Sequence, residues 1–563
     1  MSTPGSSRWD YEVRLLALLA VCVSVFSFLF YFRRGEVMLY GDAVAHINIA
    51  RRVFDSSTPG LLQLGTVWLP LPHLLMIPFL ISDRLWRSGV GGSIPSMAAY
   101  VFGVIGMFRL VRGALARKAE PGVAARAAAW AAAAIYGANP NLIYMQTTAM
   151  GEALYLAFFI WAVVYFSEFA RGEEKAPTKC GLCLTAACLT RYDAWFLAAA
   201  LVVGVVAVTK APLLAKDARN GAPWFSEPAW RKTLIKFVLF AAAAPALWLG
   251  YNAVVYHNPL EFENGPYSAK AIEKRTETSG SPGHPGSGNP VVGGLYFLKS
   301  AEANLAENEW LQRLWIVLAI ACVLALAVGN PHLRKEREDG APRFVPSLPL
   351  VFLLVPLPFY ALSVAYGGVP IFIPAWWPFT HYNVRYGLQL LPLFATAAAF
   401  LVYVALRSDD WPAWLRRASV TGVIAVAGIS YVSIWVAQPI CYTEAAVNMR
   451  TRNALEKQLA GWLSSLPPNC TLLMYLGEHP GAVQQAVIPL KRVINEGNHR
   501  VWKRPVDPEG LWERALANPS ELADYVVAFE GDAVWQAVHT RHLPELVEIN
   551  VTGQRRAIVY RAR

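Results

Sequence analysis

The sequence predicts a polytopic α-helical membrane protein of about 11–13 transmembrane helices, with a soluble α/β domain at its C-terminus. Three observations predict it. The chain has 563 residues, of which 55% are hydrophobic and only 16% charged, with a mean hydropathy of +0.34. Apolar runs of spanning length follow one another from residue 14 to residue 438. After Gln438 the pattern changes to frequent charges, a helical stretch at 450–464 and short β-like runs at Thr471–Tyr475, Tyr525–Phe529 and Ile558–Tyr560.

The charge content lies far below the roughly 25% of soluble proteins. That excludes a conventional cytosolic enzyme, a disordered chain and a small disulfide scaffold. The net charge is +11, yet the Lys and Arg residues sit in short loops between apolar runs. That is the signature of the positive-inside rule and argues against a nucleic-acid face. Among the seven cysteines, Cys22, Cys180, Cys183, Cys188 and Cys322 fall in apolar segments and read as small hydrophobes. Cys441 and Cys470 lie in more polar sequence and are candidates for pairing.

In chain order the expected spans are 14–32, 66–82, 94–112, 123–138, 152–169, 180–209, 234–256, 311–328, 348–366, 383–406 and 418–438. The 180–209 run can be one long span or two short ones. The 14–32 run is too long for a signal-peptide core and lacks an A-x-A exit, so it reads as a retained first helix. The transmembrane domain is expected over 1–443 and the soluble domain over 444–563.

Orientation follows from the basic loops. Five Lys and Arg lie in 210–233, four in 329–347 and three in 407–417. None lies in 367–382, and 257–310 is net acidic. Basic loops inside place the N-terminus in the cytoplasm of a multi-pass plasma-membrane or inner-membrane protein. The loops 33–65, 257–310 and 367–382 and the C-terminal domain then fall outside. Arg112–Lys118 conflicts with this count, and splitting 180–209 breaks the parity of the first loop. Within 257–310, the run Thr276–Pro290 is rich in Gly, Ser and Pro, and 273–290 is expected to act as a lid over a cavity.

The first external loop reads Tyr40-Gly41-Asp42-Ala43-Val44-Ala45-His46. On a helix, Asp42 and His46 share a face beside the membrane surface. A carboxylate there is placed to accept a proton from a hydroxyl, or to share a metal with the imidazole. An Asp after Gly is equally an ordinary helix cap. Charges inside apolar runs are the next signal, since each costs a few kcal/mol unless it faces protein or water. Glu152, the pair Arg191 and Asp193, and Arg385 are such residues. Arg385 follows His381 and Tyr382 and precedes Tyr386. Its guanidinium suits a lipid phosphate, and snorkelling to the interface is the plainer account. There is no Walker A and no GxGxxG.

YGDAVAHINIARRVF, GTVWLPLPHLLMIPF, NPNLIYMQTTAMGEALYL, LTRYDAWFL and RYGLQLLPLFA, in that order, together resemble the GT-C superfamily of integral-membrane glycosyltransferases. Protein O-mannosyltransferases and the lipid A aminoarabinose transferase belong to it. The resemblance implies a polyprenyl-phosphate sugar donor and inverting transfer to a hydroxyl of a glycan, lipid or protein acceptor at the extracytoplasmic face. By matched position Asp42 is the catalytic base. Arg385, then Arg191, hold the donor phosphate, with His46, Glu152, Asp193, His381, Tyr382 and Tyr386 as further substrate-binding candidates. No WWDYG occurs in the C-terminal domain, which argues against oligosaccharide transfer to Asn. No clear DxD stands in the first loop, so a divalent metal is a possible cofactor without an assigned set of ligands.

Two other classes explain the intramembrane charges. A transporter or flippase for a lipid-linked or anionic substrate would need them, but such proteins usually show internal hydropathy repeats, and the two halves here do not. A non-catalytic assembly subunit would carry its working part in the C-terminal domain and would tolerate replacement of Asp42.

Overall fold

The computed structural model describes residues 5–115, 122–171, 173, 175–214, 227–276, 283–327, 348–408, 411–499 and 509–563. The basic loop 329–347, most of 210–233, the end of Arg112–Lys118 and residues 277–282 of the expected lid lie outside the described residues.

Six described helices are long and apolar enough to cross a membrane, or seven if a pair bent by 106° counts as one span. That pair is Pro290–Leu305 with Glu309–Ala325. Shorter apolar helices fill further expected spans, among them Asp193–Val206 and Val351–Tyr366. The outward faces carry exposed Phe26, Leu247 and Val436, side chains that water would penalise and a hydrocarbon layer accepts. Between helices the contact residues are small. Ala125, Ala128, Ala129, Ala132 and Ala133 of Val123–Gly137 are buried. A Cβ on Gly103 would meet the Tyr136 hydroxyl, and one on Gly106 would meet Ile160. Lipid tails give no hydrophobic drive between helices, so close backbone approach at small residues supplies the packing energy.

One expectation about spans is corrected, and an open alternative is decided. The 66–82 run does not yield a spanning helix. Its helix, Leu71–Leu80, has ten residues, about 15 Å of rise against a hydrocarbon core of about 30 Å. Its first amide donates to the Leu189 carbonyl at 3.0 Å, and its last carbonyl accepts from Arg51. Pro70 and Pro72 sit at the helix start, where a missing amide costs nothing, and Pro78 removes a donor near its end. The 180–209 run is two helices, Ala176–Cys188 and Asp193–Leu214. If the second of these also crosses, the expected parity is kept.

The Arg112 conflict dissolves with them. Arg112 Nη1 meets Glu12 Oε2 at 2.9 Å, and Arg126 Nη2 meets Glu12 Oε1 at 2.6 Å. Glu12 lies in the first turns of Gly5–Arg33, about 31 Å along the axis from Arg33 and the loop that follows it. Arg112 therefore stands at the N-terminal end of the helical body, away from the first loop.

The 257–310 segment, read as a loop, contains the helix Pro290–Leu305, capped by the Asn289 side chain on Val291 N and Val292 N. Cys441 and Cys470 do not pair; each is a free, buried thiol. Cys441 Sγ lies 3.2 Å from Asn304 Oδ1, and Cys470 lies beside Arg492.

The C-terminal part is a five-stranded mixed sheet in the order β2-β1-β3-β5-β4. Its strands are β1 Leu472–Met474, β2 Val493–Ile494, β3 Tyr525–Phe529, β4 Glu545–Ile549 and β5 Ala557–Arg561. Strand β1 runs parallel to β2 and β3, while β5 runs antiparallel to β3 and β4. This part is carried on one continuous helix, Ile440–Leu463, and it seats on the first loop. Asn48 Nδ2 donates to Gln484 Oε1 at 2.8 Å, Gln63 Nε2 to the Gly497 carbonyl at 2.7 Å, and Lys491 N to Asp55 Oδ1 at 3.1 Å.

Candidate active site

One cavity of about 980 Å³ opens where the first loop, the 257–310 segment and the 367–382 segment converge. Asp42, His46, Glu152, Arg191, Asp193, Tyr382, Arg385 and Tyr386 all line it. Three segments read as lying on one face thus meet around a single space.

Each charged residue is placed by a break in a helix. Asp42 sits in the first turn of Gly41–Arg52, after Tyr40 in extended conformation. Asp42 is therefore the second residue of the helix rather than its cap residue, and its carboxylate is aimed across the cavity. Tyr40 pins this start by donating to the Cys441 carbonyl at 2.8 Å. Glu152 opens Glu152–Ala170 after Gly151. Arg191 lies in the break between Ala176–Cys188 and Asp193–Leu214. Arg385 begins a 3-10 turn, Val384–Leu390, ahead of the helix Leu391–Arg407. That turn starts from Asn383 at φ 57°, a left-handed conformation that Asn tolerates, and Asn383 Nδ2 donates to the Pro370 carbonyl at 2.9 Å. Gly387 lies so close to the Ser300 backbone that no side chain fits there.

The guanidinium of Arg385 joins three carboxylates. Nη2 donates to Asp42 Oδ2 at 2.7 Å, Nε to Glu152 Oε1 at 3.2 Å, and Nη1 to Glu444 Oε1 at 2.6 Å. The rings of Tyr40 and Tyr386 each lie 5.1 Å from its carbon, a favourable cation–π distance. Arg191 repeats the pattern. Nη1 donates to Glu152 Oε1 at 3.1 Å and Nη2 to the Tyr360 hydroxyl at 2.7 Å. Tyr360 donates in turn to Asp193 Oδ2 at 3.2 Å. Glu152 thus bridges the two arginines. Its second oxygen is buried and has no hydrogen-bond partner among the described residues. Neither arginine snorkels to the interface.

His46 lines the cavity and His381 does not. His46 Nδ1 lies 2.8 Å from His73 Nε2, and its ring packs 4.7 Å from Trp68. Burial pushes its pKa down, against the pull of Asp42, so it serves as a neutral imidazole. His381 is absent from the described lining. An isolated bridge pairs Phe372 with Tyr382, both of which face the cavity. Side chains alternate along extended backbone, so the neighbouring His381 points away. Its carbonyl accepts from Asn448 Nδ2 at 3.2 Å.

A metal does not fit the described residues. No group of three or more His, Cys, Asp or Glu is arranged to hold one among them, and the nitrogen of His46 is engaged by His73.

Sequence reasoning missed Glu444, Tyr360 and His73. Glu444 is the lone charge between Arg417 and Arg450, a signal that goes unread when the soluble domain is taken to begin at residue 444. Tyr360 sits in an apolar run where an aromatic residue reads as packing.

No protein-family model matches the chain, and no curated protein matches it in sequence. Among solved structures it is similar to ArnT from Cupriavidus metallidurans bound to undecaprenyl phosphate. That match has 13% identity over 99% of each chain and a TM-score of 0.53. Against the same protein in the apo state the identity is 13% over 98% of each chain, with a TM-score of 0.54. The oligosaccharyltransferase of Archaeoglobus fulgidus in its apo form is more distant, at 12% identity over 92% of this chain and 70% of that one, with a TM-score of 0.46. At such identities the likeness is one of architecture, and the chain shares the fold of ArnT over nearly its whole length.

Proposed function

We propose that the protein is an inverting membrane glycosyltransferase. It moves a sugar from a polyprenyl-phosphate-linked donor to an acceptor hydroxyl at the extracytoplasmic face. One observation carries the reading. Of the four carboxylates around the two arginines, Asp42 alone is open to the cavity, with 42% of its side chain exposed against 1% for Glu152, Asp193 and Glu444. Three carboxylates hold the arginines, and one is free to meet a substrate. The structural likeness to an ArnT that binds undecaprenyl phosphate supports a lipid-phosphate donor.

In this mechanism the donor enters laterally from the lipid and its phosphate takes the cavity-facing edge of Arg385, with Arg191 behind. Asp42 leaves Arg385 and takes the acceptor O–H proton. The acceptor oxygen attacks the anomeric carbon from the face opposite the phosphate, the C–O bond to phosphate breaks, and its electron pair stays on the phosphate oxygen. The fixed guanidiniums stabilise that charge in a site of low dielectric. Neutral His46, one turn from Asp42, offers a hydrogen bond to a sugar hydroxyl. Tyr382 and Tyr386 supply ring faces.

The test is transfer in nanodiscs by the wild-type chain and Asp42→Asn, with polyprenyl-phosphate sugars and candidate acceptors. Transfer by the wild type that Asp42→Asn abolishes supports the reading. Donor crossing between leaflets without transfer would mark a flippase instead.

A further inference from the structure

We infer that Glu444 is a positioning residue for the donor phosphate: it fixes the plane of the Arg385 guanidinium from the helix that carries the C-terminal domain. The inference rests on the reading of Arg385 as the phosphate ligand.

The geometry separates Glu444 from the other partners of Arg385. Glu444 makes two contacts to consecutive residues of one turn. Oε1 accepts from Arg385 Nη1 at 2.6 Å, and Oε2 accepts from the backbone amide of Val384 at 2.7 Å. A carboxylate bound at both oxygens cannot rotate, so it holds the guanidinium edge to the backbone that bears it. Asp42 meets Arg385 through Oδ2 and has an exposed side chain, so an arriving phosphate displaces Asp42 and leaves Glu444 in place. A guanidinium has five N–H donors in a fixed fork. With Nη1 and Nε anchored on Glu444 and Glu152, the Nη2 edge is the one presented to the cavity. Two-point recognition of a phosphate needs that edge aimed before the lipid arrives.

The same face of Ile440–Leu463 serves the neighbouring walls. Asn448 and Arg452 follow Glu444 at successive spacings of four, which places them on one stripe. Asn448 Nδ2 donates to the His381 carbonyl. Arg452 lies over Gly41, where a Cβ would strike its guanidinium, and is itself held by Glu456 at 3.0 Å. One helix thus touches residue 41 beside the base, residue 381 of the aromatic wall and residue 385.

The test measures affinity of the purified full chain for polyprenyl phosphate in nanodiscs. The variants are Glu444→Asp, Arg385→Lys and the two combined. Glu444→Asp keeps the charge but retracts the carboxylate, so both contacts cannot be made at once. The expected result is about tenfold weaker binding in the wild-type background and less than twofold in the Arg385→Lys background, since Glu444 acts through Arg385. Equal losses in both backgrounds would overturn the inference, because they report general damage. Glu444→Gln, which keeps the reach, provides the same comparison if Glu444→Asp does not fold. A wild-type chain that fails to bind polyprenyl phosphate at all would instead remove the function reading, and this inference with it.

Discussion

Asp42 and Arg385 stand 343 residues apart in sequence and meet at 2.7 Å across the cavity. In the proposed mechanism a phosphate arriving at Arg385 would release Asp42, so the pair would couple donor binding to the readiness of the carboxylate.

Asp42→Asn keeps the shape of the side chain and removes the basic group. Transfer should fall by roughly 10²–10⁴-fold, the usual contribution of a general base, while donor affinity changes little. Rates and donor affinity measured in one nanodisc preparation decide it, and wild-type transfer in the variant would end the role of Asp42.

Arg385→Lys keeps one positive charge and loses the planar fork. Donor affinity should weaken about ten- to a hundredfold, the equivalent of about 1.5–3 kcal/mol for a charged hydrogen-bond partner. Turnover should fall as well. Unchanged affinity would pass the phosphate to Arg191.

The C-terminal part offers a prediction about pH. Asp532 caps the helix Ala533–Val538, accepting from Trp535 N at 2.6 Å and from Phe529 N at 3.2 Å. Burial pushes its pKa up from 3.8 to about 6, against those hydrogen bonds. A raised acid binds its proton more tightly when folded, so its contribution is complete below pH 3.8 and is lost as pH rises through 6. The full effect is at most roughly 3 kcal/mol. Thermal unfolding of the full chain between pH 4 and 7 should show the wild type losing stability relative to Asp532→Asn as pH rises. A constant difference across that range would remove Asp532 as the cause.

Topology can be read independently. Leu61 and Ser520 are exposed, one in the first loop and one in the C-terminal part. Cysteines at both positions, in a chain whose native thiols are replaced, should react with a membrane-impermeant maleimide from the outside of intact cells. Labelling at one position and not the other would separate two segments that the fold joins.

How much of this was legible depended on what a residue costs where it stands. Arg191, Asp193, Glu152 and Arg385 could be found because a charge in an apolar run demands a partner, and all four line one cavity. Glu444 carried the same signal, as the lone charge between Arg417 and Arg450, but it stands just past the last expected span, where a carboxylate reads as solvated. The helix Pro290–Leu305 was hidden by the Gly, Ser and Pro residues before it, which read as loop. Leu71–Leu80 was taken for a span because hydropathy counts Pro and Leu without registering the missing donor of Pro78. The fold class survived these errors since alternation of apolar and basic segments is a property of the whole chain. The partners of each charge are a property of tertiary structure.

The bridging position of Glu152 bears on how the chain is made. Glu152 pairs with Arg191, 39 residues later, and Arg385 pairs with Glu444, 59 residues later. Each half of the sequence thus carries a cation and an anion that pair with each other. The halves then join through Glu152 and Arg385, 233 residues apart. An uncompensated charge is costly at membrane depth, so local pairing lets early helices integrate long before their final neighbours emerge from the ribosome. Glu152→Gln alone should therefore lower the yield of integrated chain more than Glu152→Gln combined with Arg191→Gln, measured as membrane-resident protein after pulse labelling. The polar cluster proposed to serve chemistry in the finished protein would then serve, in two separate instalments, the insertion of the nascent one.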